Sequence, residues 1–141
     1  HYEQKMPTRP GALEAVQLAS EHFRVGLASG SPTDIIQRVM SLTELDQIFE
    51  VIVYGDTVAK GKPAPDIYIE AMRRLGVSAD VTVGIEDSGN GIRSLKAAGM
   101  YSIAAPSPDF PLPDDIIALA DAHITQMTEF SLDLLERIAS L

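Results

Sequence analysis

The sequence predicts an α/β domain built on a parallel sheet. Helical and strand-like segments alternate along the chain. The strand-like segments Val25 to Ala28, Val51 to Tyr54 and Val81 to Ile85 are almost continuously apolar, as strands buried on both faces are. The segments between them are long enough for the crossovers that parallel pairing requires.

Taken in order, Pro10-Gly11 opens a helix with Leu13, Val16 and Ala19 at helical spacing. Arg24 to Ala28 is a short apolar run, punctuated by Ser29-Gly-Ser-Pro32. Ile35, Ile36, Val39 and Met40 repeat at helical spacing. Ile48 to Tyr54 is β-branched and aromatic, which predicts a strand. Gly55 to Pro65 is a Gly- and Pro-containing loop, followed by an amphipathic helix over Asp66 to Leu75 with Gly76 placed to cap it. Val81 to Ile85 reads as a strand, Glu86 to Asn90 as a turn, and Gly91 to Ala98 as a helix stopped by Gly99. Tyr101 to Ala105 is a strand, and 106–113 is a proline-rich loop. A helix over Asp114 to Ala120, a strand over Ala122 to Ile124 and a helix over Ser131 to Ala139 complete the pattern. The loops 55–65 and 106–113 are long enough to be candidates for function.

Composition narrows the function. The 141 residues suit one domain, 1–141, with a sizeable core. Eleven Lys and Arg against 20 Asp and Glu give a formal charge of −9. Such a chain repels phosphate backbones and anionic membrane surfaces, so neither nucleic acid nor membrane is an expected partner. No apolar run approaches the ~20 residues that span a bilayer, and His1 to Pro10 does not read as a secretory signal. The absence of cysteine excludes disulfides, thiolate metal sites and cysteine nucleophiles, and suits a cytoplasmic location. The chain starts at His1 rather than at a methionine, which raises the expectation of a processed product or a fragment.

In parallel α/β sheets, ligands bind beyond the carboxyl ends of the strands. Three polar clusters follow strands here. Ser29-Gly30-Ser31 offers a hydroxyl and outward N–H groups at a helix mouth, which suits an anion; the same residues also suit a plain cap, with Ser31 and Thr33 as capping hydroxyls. Lys62 stands between Gly61 and Pro63 on a stiff loop that could aim its ammonium at a phosphate, or it is a solvated lysine like Lys60; Asp66 reads as a cap for the helix it starts. Glu86-Asp87 places two adjacent carboxylates after an apolar strand, where either a cation such as Mg²⁺ or a helix dipole compensates them. His22 and His123 lack a partnered motif, Asp114-Asp115 reads as a helix cap that also complements the helix dipole, and neither a G-x-G-x-x-G nor a P-loop pattern exists.

A hydroxyl at one strand end, then Gly-Lys-Pro, then Glu-Asp at another strand end resembles the haloacid dehalogenase-like hydrolase superfamily, in particular its branch of β-phosphoglucomutase-like phosphatases. The segments that carry the resemblance are Arg9-Pro-Gly11, Leu27-Ala-Ser-Gly-Ser-Pro32, Gly61-Lys-Pro-Ala-Pro-Asp66, Gly84-Ile-Glu-Asp-Ser-Gly-Asn-Gly-Ile92 and Ala97-Ala-Gly99. It implies a Rossmann-like three-layer sandwich and a Mg²⁺-dependent phosphoaspartyl mechanism on a small phosphorylated substrate. Ser29 and the N–H of Gly30 would hold the phosphoryl oxygens. Lys62 would neutralise charge on the phosphoryl group and the nucleophile. Asp87 would bind Mg²⁺, with Glu86 beside it as a ligand directly or through water.

The sequence also departs from the family. No Asp-x-Asp occurs anywhere, so the nucleophile and the acid/base of the family's first strand are absent, as is its substrate-selecting cap. The isolated chain is therefore expected to be inactive. The missing strand is central in the family's sheet, which leaves a slot for an N-terminal fragment, a second copy, or direct pairing of the flanking strands. The function expected is that of a phosphoric monoester hydrolase or phosphosugar mutase; the alternative is a non-catalytic remnant that binds phosphate, metal or a protein.

Overall fold

A computed structural model describes residues 11–30, 33–34, 37–38 and 47–139. In chain order the elements are α1 (Ala12–His22), β1 (Gly26–Ser29), β2 (Val51–Tyr54), α2 (Asp66–Leu75), β3 (Val83–Glu86), α3 (Gly89–Ala97), β4 (Tyr101–Ala104), α4 (Asp114–Ile117), β5 (Ala122–His123) and α5 (Leu132–Ala139). Short 3-10 turns lie at Gly55–Thr57, Ala79–Val81 and Met127–Glu129. The helical repeat expected at Ile35 to Met40, and the residues Arg9, Pro10, Ser31 and Pro32, lie at positions outside the described residues. No helix among the described residues is long and apolar enough to cross a membrane.

Every strand pair is parallel, as the apolar strand patterns predict. The strands form two ladders rather than one. β1 pairs with β2 from Gly26 opposite Val51 to Ser29 opposite Tyr54. β3 pairs with β4 from Val83 opposite Tyr101 to Glu86 opposite Ala104, and β5 joins the far edge of β4. Among the described residues β1 and β3 share no ladder, so direct pairing of the flanking strands is not how the two halves meet.

Side chains join them instead. The buried face of α2 (Ile67, Tyr68, Ala71, Met72) packs with Val53 of β2 and with Leu95 and Met100 around α3, so one apolar cluster spans both ladders. Alternation along β4 splits its two faces. Ile103 faces α1, Phe130 and α5 through Ala12, Ala15, Leu134 and Ile138. Ala104 faces Ile92 of α3 and Ile116 of α4. The result is the expected three-layer arrangement. Gly84 lets α3 lie close on β3, because a Cβ there would stand 2.1 Å from Leu95 Cδ2.

Element ends differ from the sequence reading in several places. The strand over Ile48–Tyr54 begins only at Val51; Ile48 and Phe49 pack beside Val16 and Leu27 outside the ladder. Val81 belongs to a 3-10 turn closed by its N–H to Ser78 O and is solvent-exposed, so its apolar character is not used by the sheet. The helix expected over Asp114–Ala120 stops at Ile117. Asp66 and Asp114 are first-turn residues rather than caps, with Pro65 and Pro113 at the capping positions; Asp66 complements the helix dipole, and Asp114 and Asp115 stand in the first turn of α4, where the expected dipole complementation places them. Gly76 does cap α2, at φ 71°, with its N–H on Met72 O at 2.8 Å.

Ile103 is fully buried at the centre of the larger ladder. Ile103→Ala is expected to lower unfolding free energy by about 2–5 kcal/mol in urea denaturation, because the surrounding helices and strands cannot collapse into the space. A loss below about 1 kcal/mol would contradict that packing.

Candidate active site at the strand ends

Parallel pairing puts the carboxyl ends of β1 and β2 side by side in one ladder and those of β3 and β4 side by side in the other; Lys62, which touches Ala28 O and Glu86, brings the ends of β1 and β3 together. Ser29 is the last residue of β1 and Glu86 the last of β3; Asp87 follows directly. All three are buried, at 0%, 5% and 4% exposure. Buried carboxylates need partners. Glu86 finds two on the same oxygen: the Lys62 ammonium and the Tyr68 hydroxyl both donate to Oε2. Lys62 also lies 3.5 Å from Ala28 O, one residue before Ser29, and 5.3 Å from the centroid of the Tyr68 ring. Its side chain is 7% exposed. The solvated-lysine alternative therefore holds for Lys60, which is exposed, and not for Lys62.

The loop that carries Lys62 is fastened from below. Ser94 of α3, itself fully buried, donates its hydroxyl to Ala64 O at 2.7 Å, and Ala64 N–H bonds Gly61 O at 3.0 Å. The Lys62–Pro63 peptide is cis. On the acidic side, Ser88 caps α3 by accepting the Gly91 N–H at 3.0 Å. Gly91 is required by its neighbour: a Cβ there would lie 2.0 Å from Glu86 Oε1.

The Ser29-Gly30 turn is clamped from β2. Gly55 lies so near that a Cβ on it would stand 2.8 Å from Gly30 O. Thr33 donates to the Asp56 carboxylate through its hydroxyl at 2.6 Å and its N–H at 3.3 Å. These bonds, the hydroxyl first, hold the Asp56 carboxyl below its ordinary value. Thr33 is thus tied to Asp56 rather than acting only within its own helix.

The structure brings Ser29, Lys62, Glu86 and Asp87 to one edge. His22 and His123 are exposed; His123 ends β5 opposite Ala104, which itself lies opposite Glu86. Among the described residues no cluster of three or more His, Asp or Glu forms a ready cage for a metal. The donor set at this edge is a pair of adjacent carboxylates. That set fits Mg²⁺, which takes one or two carboxylates and completes its shell with waters and substrate oxygens. Tyr68, Ser94, Thr33 and Asp56 were not visible as site residues in the sequence. Tyr68 reads there as one more apolar position of α2; the only signal is its hydroxyl, which burial obliges to find a partner.

The chain matches the haloacid dehalogenase-like hydrolase family over residues 2–99. It is similar to hexitol phosphatase B of Escherichia coli (strain K12), 36% identical over 130 residues that make up 92% of this chain and 58% of that protein. It is also similar to the β-phosphoglucomutase of Bacillus subtilis (strain 168), 34% identical over 121 residues, 84% of this chain and 49% of that protein. Among solved structures, CbbY from Rhodobacter sphaeroides in complex with phosphate superposes with a TM-score of 0.82 at 32% identity, over 91% of this chain and 58% of that one. The chain thus spans between about half and three-fifths of the length of these relatives.

A carboxyl with a depressed folded pKa contributes stability that is present above its unfolded value, about 3.9, and lost as pH falls through the folded value. The Asp56–Thr33 clamp is therefore fully formed at neutral pH. Thr33→Val is expected to raise the Asp56 pKa toward the ordinary range in a ¹³C-carboxyl NMR titration. An unchanged midpoint would show that the hydroxyl does not hold the carboxylate.

Proposed function

This chain belongs to the haloacid dehalogenase-like hydrolase family, and from that premise we propose that residues 1–141 are the core portion of a Mg²⁺-dependent phosphoric monoester hydrolase, or phosphosugar mutase, acting on a small phosphorylated metabolite. One observation carries the proposal. Lys62 reaches the carboxyl ends of both ladders at once, with its ammonium at Ala28 O beside Ser29 and on Glu86 beside Asp87. Three chemically different groups that a phosphoryl group needs therefore share one edge.

The roles follow from charge and donor type. Ser29 Oγ and the Gly30 N–H donate to phosphoryl oxygens. Lys62 supplies a fixed positive charge to the same oxygens as negative charge builds on them. Glu86 holds Lys62 in place. Asp87, with Glu86 directly or through water, holds Mg²⁺, which when bound orients and polarises the phosphoryl oxygens. The sequence contains no Asp-x-Asp. In the family that the chain resembles, an Asp-x-Asp on the central strand supplies the attacking carboxylate and the acid that protonates the leaving oxygen, so in this reading both come from another polypeptide segment, in the position between β1 and β3. The family's substrate-selecting cap is likewise expected outside this chain.

The binding half of the proposal is read by calorimetry with inorganic phosphate and Mg²⁺ on the chain as it stands. Lys62→Ala is expected to weaken phosphate by roughly tenfold or more, the worth of a charge-assisted hydrogen bond. Asp87→Ala is expected to abolish Mg²⁺ binding. Affinities unchanged by both substitutions would overturn the assignment. The catalytic half is read by adding a peptide that carries an Asp-x-Asp strand and assaying a generic phosphate monoester; turnover by the lone chain would place the nucleophile elsewhere.

A further inference from the structure

A lysine side chain has four rotatable carbons and no intrinsic reason to keep its ammonium at one point. Something must fix Lys62, and Glu86 alone does not suffice, because a carboxylate free to turn would follow the ammonium. Tyr68 stands on the first turns of α2, just after the Lys62 loop, with its ring buried in the cluster that joins the two ladders. A phenylalanine would fill that space equally well, so the hydroxyl answers to something other than packing. A carboxylate only accepts and an ammonium only donates, so the direction of each bond is settled: Tyr68 O–H and Lys62 N–H both donate to Glu86 Oε2. The other oxygen, Oε1, takes the space that a Cβ on Gly91 would fill. The two hydrogen bonds on Oε2 orient Glu86, and the Tyr68 ring face lies 5.3 Å from the ammonium that Glu86 positions.

The geometry points to Tyr68 as a positioning residue for Lys62. Its hydroxyl fixes the Glu86 carboxylate and its ring supports the ammonium, so that Lys62 is presented to an anion at the strand ends in one orientation. Resting on the reading of Lys62 as the phosphoryl-binding cation, this extends the site along α2, beyond Asp66, where the Gly61-to-Asp66 motif ends.

The position of Lys62 can be measured without phosphate or turnover. The full chain is treated with an amine-acylating reagent, and modification of Lys62 is followed by mass spectrometry against Lys60, an exposed lysine of the same loop. Tyr68→Phe is expected to raise the Lys62-to-Lys60 rate ratio roughly three- to tenfold, with a thermal midpoint within a few degrees of the parent. Tyr68→Leu, which also removes the ring, raises it further. In a Glu86→Gln background, Tyr68→Phe adds nothing, because the group through which it acts has lost its charge. In the unsubstituted Tyr68 chain, the Tyr68 ¹³Cζ resonance moves on Glu86→Gln, an observation that needs no change at Tyr68 itself. An unchanged ratio in Tyr68→Phe, full additivity with Glu86→Gln, or an unmoved ¹³Cζ resonance would each overturn the inference. Phosphate titration separates this from the proposed function: if Lys62→Ala leaves phosphate affinity intact, the phosphoryl reading fails, while the acylation ratio still decides whether Tyr68 positions Lys62.

Discussion

The buried contact between Lys62 and Glu86 is the constraint around which this edge of the molecule is organised. Two charges removed from water lose several kcal/mol each of hydration, and their attraction restores this only when geometry is good and further hydrogen bonds complete the shell. Here two further polar groups join the pair. Tyr68 and Ala28 supply the additional polar contacts, and Gly91 makes room for the second carboxylate oxygen. Removing one partner of such a pair costs about 3–5 kcal/mol, because the survivor stays buried and uncompensated. The pair also spans a structural division, since Ala28 and Glu86 belong to two separate ladders among the described residues. The α2 cluster and this ion pair do together what a continuous sheet does elsewhere.

Much of this was legible in the sequence, for physical reasons. Apolar, β-branched runs such as Val51 to Tyr54, alternating with helical segments long enough for crossovers, point together to parallel pairing and a three-layer section. Parallel pairing in turn fixes where polar residues after strands must gather. Ser29 and Glu86-Asp87 therefore each fall at the carboxyl end of a ladder, where Lys62 joins the two ends. Lys62 was harder: a lysine on a Gly/Pro loop is consistent with solvent or with a site, and only burial separates it from Lys60.

What stayed hidden depends on contacts between residues distant in sequence. Nothing local marks Tyr68, whose helical position is satisfied by any large apolar group. Asp56 and Thr33 are 23 positions apart and meet only because β1 and β2 are neighbours. Val81 misleads for the opposite reason: its apolar character suits a strand, but the Ser78 to Val81 turn satisfies the backbone first. The division into two ladders was foreseen only as one outcome among several, because no property of β1 or β3 alone states whether their edges meet.

The hydrogen bond from Ser94 to Ala64 has a mechanical consequence. It couples the loop bearing the cation to the helix that begins just after the two acids. The cation-bearing loop is thus anchored at two points, by Lys62 on Glu86 and by Ala64 on Ser94, so a shift in the seating of α3 would carry the support of the ammonium with it.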